Sequence, residues 1–247
     1  MTIKKYGKIF FFSTTLMLAG LQMGKWLNRD AGFRVEKVMV TGCKTLAEPE
    51  VIAAAKVPMF RSIFDVEFAP IAERVEALPY VQKAQVTRVF PSTIVIAVKE
   101  RKPLALINHA GLWPVDEESV ILPRLQSHRR LNDPVSYDTP ILSGIAFSKT
   151  GNDKKLAATN KRVVEFLAAL RATNAMLYHG ISELNLNAKG QLTFYLMEGG
   201  VPVYLGADNW MEKCERLFIF LQHVKPASGK FLTIDLRYDN QIVTRES

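Results

Sequence analysis

Cysteine and histidine are scarce in this chain of 247 residues. Its two cysteines, Cys43 and Cys214, stand far apart; they cannot build a dense disulfide framework and leave room for one long-range bridge at most. Four histidines give a structural zinc site too few ligands to draw on. No Ser-x-x-Lys, His-Glu-x-x-His or Gly-x-Ser-x-Gly motif occurs, so an enzyme acting on cell wall or on esters has no signature here. Ser143-Gly144 lies in an extended segment and makes no nucleophile elbow. Asp116 and Asp235 form a carboxylate pair whose separation no sequence feature sets. A basic stripe interleaved with aromatics is missing too. Half of the net charge of +8 falls in the first thirty residues, where Lys4, Lys5, Lys8, Lys25 and Arg29 face Asp30 alone. Nucleic-acid binding therefore has little support, and no cofactor or metal is implied. What is present is apolar: 48% hydrophobic residues exclude a disordered or collagen-like chain, and the length suits one ordinary domain or two small ones.

The first 29 residues read as an anchor. Lys4, Lys5 and Lys8 precede Ile9–Gly24, a run without charge, and Lys25-Trp26-Leu27 follows. The uncharged run spans about 24 Å as a helix against a hydrocarbon layer of roughly 30 Å. Extension from Tyr6 to Leu27 reaches about 33 Å, with Lys8 and Lys25 snorkelling and Tyr6 and Trp26 at the interfaces. The expectation is a basic tail over 1–8, a single transmembrane helix over 9–27, a cytoplasmic N-terminus and everything beyond on the far side. A cleaved signal peptide is the competing reading. It lacks an Ala-x-Ala closure, and Gln22, Lys25 and Trp26 make a poor cleavage neighbourhood.

Two folded segments follow. Over 33–100 the alternation of Phe33–Val40 predicts a strand ending at Thr41-Gly42. Pro49 near a first turn, with Val51, Ile52 and Ala55 at helical spacing, predicts a short helix. A second helix over Phe68–Leu78 carries Ile71, Val75 and Leu78 on one stripe. Strands are expected at Val81–Arg88 and Thr93–Glu100. The order strand-helix-helix-strand-strand makes a compact α+β layer pair. Asp65, Glu67, Glu73 and Glu76 there read as a solvated face. Over 101–247 the chain reads as a mainly antiparallel sheet with flanking helices. A meander over 104–122, a surface loop over 124–138 and a short extended piece at 139–144 come first. A helix from Lys154 to Ala172, a hairpin around Ala188-Lys189-Gly190, a strand Val201–Leu205 and a helix from about Asn209 to Val224 follow. Strands at Phe231–Leu236 and Gln241–Thr244 end the chain. Tyr204 and Trp210 read as packing residues, and Cys214 as a small apolar group on its helix. A last strand at a sheet edge can accept a strand from another protein.

Several motifs occur in a telling order: Phe33–Gly42; Leu78-Pro79-Tyr80-Val81 with Arg88-Val89-Phe90-Pro91-Ser92; Val98–Ala105; Leu112-Trp113-Pro114-Val115-Asp116; Thr139–Gly144; Val203-Tyr204-Leu205-Gly206 before a helix with Lys213 and Leu217; and Ile234-Asp235-Leu236-Arg237-Tyr238-Asp239. Together they resemble the FtsQ/DivIB family of bacterial cell-division proteins in its FtsQ form. The resemblance implies an inner-membrane anchor, a POTRA domain over 33–100 and a β domain over 101–247, with the folded part periplasmic at the septum. It implies an essential, non-catalytic scaffold linking early and late division proteins. Its implied partners are FtsB-like and FtsL-like single-pass proteins, with other division proteins meeting the POTRA domain. FtsB-type strand addition maps onto Arg237, Tyr238, Gln241, Ile242, Val243, Thr244 and Arg245. Arg237 has two readings, pairing within the chain with Asp235 or Asp239, or meeting an acid on the partner. The alternative function is a POTRA-bearing chaperone or assembly factor for exported proteins.

Overall fold

A computed structural model describes residues 13–22, 33–108, 111–124, 138–145, 147–150, 153–156, 158–224 and 231–246. The chain divides into two compact units, Met1–Arg101 and Lys102–Ser247.

The expected transmembrane helix over 9–27 requires correction. Its described part, 13–22, is helical. Among the described residues no helix is long and apolar enough to cross a membrane. The single-pass topology and the inner-membrane placement derived from it fall with that helix. The basic tail over 1–8 and residues 9–12 and 23–27 lie outside the described residues.

In the first unit, β1 (Lys37–Thr41), α1 (Glu48–Ala55), α2 (Phe68–Glu76), β2 (Val81–Val89) and β3 (Thr93–Glu100) follow in that order. The sheet order is β1-β3-β2, with β1 parallel and β2 antiparallel to the central strand. Strand β1 starts later than the alternation from Phe33 suggests. The Val35 amide donates to the Arg61 carbonyl and the Phe60 amide to the Val35 carbonyl, so this stretch pairs with residues 60–62. Ile94, Ile96 and Val98 of β3 face the helices and are buried with Ile71 and Val75 of α2. Arginines staple the helices: Arg74 donates through Nε and Nη2 to the Ala55 carbonyl at the end of α1. Gly42 turns the chain out of β1 at φ +88°, where a Cβ would sit 2.1 Å from the Val98 carbonyl oxygen; no larger residue fits.

The second unit carries β4 (Ala105–Asn108), β5 (Leu112–Val115), β6 (Ile141–Ser143), β7 (Phe147–Thr150), β8 (Asp153–Leu156), α3 (Ala158–Thr173), α4 (Ala175–His179), β9 (Ile181–Leu186), β10 (Leu192–Leu196), β11 (Pro202–Gly206), α5 (Trp210–His223), β12 (Phe231–Asp235) and β13 (Val243–Glu246). Eight strands form one sheet in the order β13-β12-β11-β10-β9-β6-β4-β5, and β7-β8 make a separate hairpin. The expected mainly antiparallel sheet has four antiparallel pairs and three parallel ones. The pairs β4·β6, β6·β9 and β11·β12 are parallel, and helices lie between the partners of the last two. Local alternation is the same for both senses of pairing and does not distinguish them. Helix α3 begins at Ala158, since 153–156 pairs as β8 with β7. Of the expected surface loop over 124–138, residues 125–137 lie outside the described residues. Val163, Leu167 and Leu170 of α3 and Trp210, Cys214 and Leu217 of α5 share one core with Phe194, Val203, Leu205 and Ile234 of the sheet.

Both cysteines are free. Burial pushes the Cys214 thiol up to about 12, while burial and then the charges of Glu100 and Glu48 raise that of the half-buried Cys43. A thiol reagent at pH 8 is expected to modify Cys43 in the native chain and Cys214 only after urea unfolding, read by mass spectrometry of the two peptides. Glu100, at the end of β3, accepts the backbone amides of Lys44, Thr45 and Leu46 at 2.8 to 3.0 Å. Glu100→Ala leaves those donors without a carboxylate and is expected to cost about 2 kcal/mol, measured by urea denaturation of the first unit's transition.

Candidate functional site

The chain's last strand ends the larger sheet. Leu236 is fully buried and its amide donates to the Tyr204 carbonyl at 2.9 Å, so the parallel pairing of β11 with β12 runs on past Asp235. The chain then turns through 238–240. Asn240 takes a left-handed conformation at φ +54°, and β13 returns antiparallel to β12 with Asp235 opposite Val243, Ile234 opposite Thr244 and Thr233 opposite Arg245. One side of β13 is paired with β12. Among the described residues no strand pairs with its other side.

The sequence-predicted residues distribute unevenly along this edge. Val243, Thr244 and Arg245 lie in β13, and Val243 and Arg245 are exposed. Gln241 and Ile242 precede the strand, which therefore runs two residues later than expected. The turn at Asn240 consumes those positions, and Ile242 packs against the core. Glu246, not foreseen, extends β13 opposite Phe231. Tyr238 is 54% exposed at the turn.

Of the two readings for Arg237, the pair within the chain is formed, and Asp235 is the acid. Arg237 Nε donates to Asp235 Oδ1 at 2.9 Å and Nη2 to Oδ2 at 2.5 Å, while the Arg237 amide also donates to Oδ1. The guanidinium lies 5.3 Å from the Tyr204 ring centroid. The Asp235 carboxyl is held below the usual carboxylate range, first by the Arg237 hydrogen bonds and more weakly by the nearby Lys213 charge. Behind this pair stands Lys213, which sequence reasoning placed only as a helix residue. It is 4% exposed. Its Nζ donates to the Leu205 carbonyl at 2.8 Å and to Asp208 Oδ1 at 2.9 Å. The Trp210 indole N–H donates to the Gly206 carbonyl, and Arg162 covers the Trp210 ring. The one signal that could have marked Lys213 is its place beside Cys214, between Trp210 and Leu217 on the apolar stripe.

The carboxylates Asp116 and Asp235 are not brought together. Asp116 Oδ1 accepts the amides of Glu118 and Val120 in the turn after β5. Asp235 ends β12, six strand spacings away in the sheet order, roughly 29 Å at the usual interstrand distance. Among the described residues no group of three or more His, Cys, Asp or Glu could hold a metal ion.

Comparison with known proteins accounts for both units. The model of the FtsQ-type POTRA domain matches residues 33–101. That of the C-terminal part of the cell division protein FtsQ/DivIB matches residues 105–237, more than half of the chain. The chain belongs to the FtsQ/DivIB family. A cell division protein FtsQ from Geobacter sp. (strain M21) is 28% identical over 241 residues, covering 95% of this chain and 86% of that protein. One from Syntrophotalea carbinolica is 27% identical over 94% of this chain and 83% of its own length. One from Rhodothermus marinus is 31% identical over 222 residues, 86% of this chain and 78% of its own. As a member of FtsQ/DivIB the protein is a non-catalytic scaffold of the division machinery, linking division proteins through its domains, and is not an enzyme. The match to the FtsQ/DivIB C-terminal model also decides against a POTRA chaperone for exported proteins. That match ends at Arg237; β13 lies beyond it.

The Asp235–Arg237 pair has a definite pH signature. A carboxyl whose folded pKa is depressed contributes stability that is fully present above its unfolded pKa and is lost as pH falls through the folded value. The stability gap between the wild type and Arg237→Ala is therefore expected to be largest near neutral pH. It should shrink as pH falls below about 4, the usual aspartate range, as followed by urea midpoints across pH.

Proposed function

We propose that this FtsQ/DivIB protein binds FtsB-like and FtsL-like division proteins by accepting a strand from an FtsB-like partner on β13. Arg237, Tyr238, Gln241, Ile242, Val243, Thr244 and Arg245 form the contact. The observation that carries the proposal is the edge itself. Strand β13 is paired on one side and its outer row of backbone N–H and C=O groups faces no strand among the described residues. Such groups are satisfied by water or by an added strand, and alternate side chains of the edge then read the partner's identity. Val243 and Tyr238 supply exposed apolar area beside that row, and Arg245 supplies charge. In this proposal the β domain over 101–247 holds the FtsB-like and FtsL-like proteins.

The POTRA domain over 33–100 meets other division proteins. An outward-facing cluster supports that second contact. The rings of Phe33, Phe64 and Phe90 stand 5.6 to 6.3 Å apart, and Phe64 and Phe90 are exposed. A non-obligate interface is commonly organised around aromatic anchors of this kind.

The test compares the full chain with a truncation ending at Asp239, each titrated with the extracytoplasmic segments of the FtsB-like and FtsL-like proteins of the same organism. Binding by the full chain that is lost in the truncation, while far-UV circular dichroism shows both folded, is the expected result. Equal binding by both would move the contact away from β13, and no binding by either would overturn the proposed partners.

A further inference from the structure

We propose that Lys213, itself buried, positions Arg237 at the partner edge, so that an ammonium on α5 sets the presentation of an exposed guanidinium beyond β12. This rests on the strand-addition proposal above for its functional half, and on the geometry of one corner for the rest.

The corner joins β11 to α5. Gly206 turns there at φ +80° and Asn209 at φ +50°, and residues 207–209 belong to neither strand nor helix. Two side chains from α5 hold the corner: Trp210 donates to the Gly206 carbonyl and Lys213 to the Leu205 carbonyl. A Cβ built on Gly206 would meet Arg237 Cγ at 3.3 Å and Lys213 Nζ at 3.9 Å. The bare face of that glycine is therefore where the Arg237 stem rests and where the lysine ammonium arrives. The stem lies on the platform that Lys213 pins.

Charge reinforces the position. Asp208, Lys213, Arg237 and Asp235 form two ion pairs, Lys213 bound to Asp208 and Arg237 to Asp235. The Lys213 charge also acts on Asp235, the acid that holds Arg237. The ammonium is locked inward by the Leu205 carbonyl, and the guanidinium lies outward, over the Tyr204 ring and on Asp235. It ends 49% exposed, its fork ordered before any partner arrives. Ordering a long side chain in advance removes an entropy cost that binding otherwise carries.

An apolar stand-in for the lysine removes both effects. Lys213→Met keeps the stem and loses the donor and the charge. A buried carbonyl left without its donor destabilises the corner, so Lys213→Gln, which retains a donor for the Leu205 carbonyl without the charge, serves as the second variant. Both are made in the full chain. The direct readout is the Arg237 Nε–H resonance in a 1H-15N spectrum: a guanidinium held on a carboxylate exchanges slowly and gives a separate line. The functional readout is affinity for the FtsB-like segment, in a cycle with Arg237→Ala.

The expected result is a lost or fast-exchanging Arg237 resonance in both variants, with the methyl spectrum of the core retained. Affinity should fall by roughly ten-fold, the scale of one well-made polar contact, with no further loss when Arg237→Ala is added. An Arg237 resonance unchanged in a folded Lys213 variant would overturn the proposal, as would losses that add in the double variant. Wild-type affinity in Arg237→Ala would instead overturn the role of Arg237 at the edge. The resonance, measured without partner, tells that failure apart from a failure of the positioning.

Discussion

The parallel pairing of β11 with β12 is the constraint on which the C-terminal end of the molecule depends. Parallel neighbours cannot be joined by a tight turn, so the chain must cross over through α5 before it returns as β12. The crossover has two consequences. It lays the apolar stripe of Trp210, Cys214 and Leu217 on the sheet and completes the core. It also leaves β12 beside β11 with one flank open, and the short antiparallel return of β13 fills that flank and becomes the new edge. Without the crossover there would be no terminal edge at this place.

The same crossover creates an electrostatic problem and its solution. A helix that enters directly from a parallel strand needs a sharp corner, and here the corner contains two left-handed residues, Gly206 and Asn209. A buried lysine would ordinarily be costly. At this corner Lys213 is matched by a carbonyl and a carboxylate, and its positive field extends to Asp235 on the neighbouring strand. Packing, corner geometry and the charged pair at Asp235 and Arg237 are therefore one arrangement. The first unit uses a similar device with the sign reversed, where the Glu100 carboxylate gathers the amides of Lys44, Thr45 and Leu46.

How much of this was legible can be judged from particular residues. The stripe Ile71, Val75 on α2 and the row Ile94, Ile96, Val98 on β3 were readable because side-chain periodicity reports burial directly. The transmembrane helix over 9–27 was not upheld: an uncharged run with basic flanks satisfies hydropathy, but among the described residues no helix is long and apolar enough to cross a membrane. Residues 154–156 of β8 were read as the start of a helix, since Asp153-Lys154-Lys155-Leu156 has no alternation to mark it as a strand. The last strand was placed two residues early because nothing in Gln241-Ile242 announces that Asn240 will adopt φ +54°.

The sequence by itself determined the units that local pattern can encode: the helical stripes, the buried strand rows, the turn at Thr41-Gly42 and the ordered motifs that carry family membership. Tertiary structure alone decided the sense of strand pairing, the sheet order that leaves β13 at the edge, the choice of Asp235 over Asp239 as the partner of Arg237, and the burial of Lys213. The physical reason is range. Periodicity records whether a side chain faces a core, whereas pairing sense and ion partners depend on which distant segments the crossovers bring side by side.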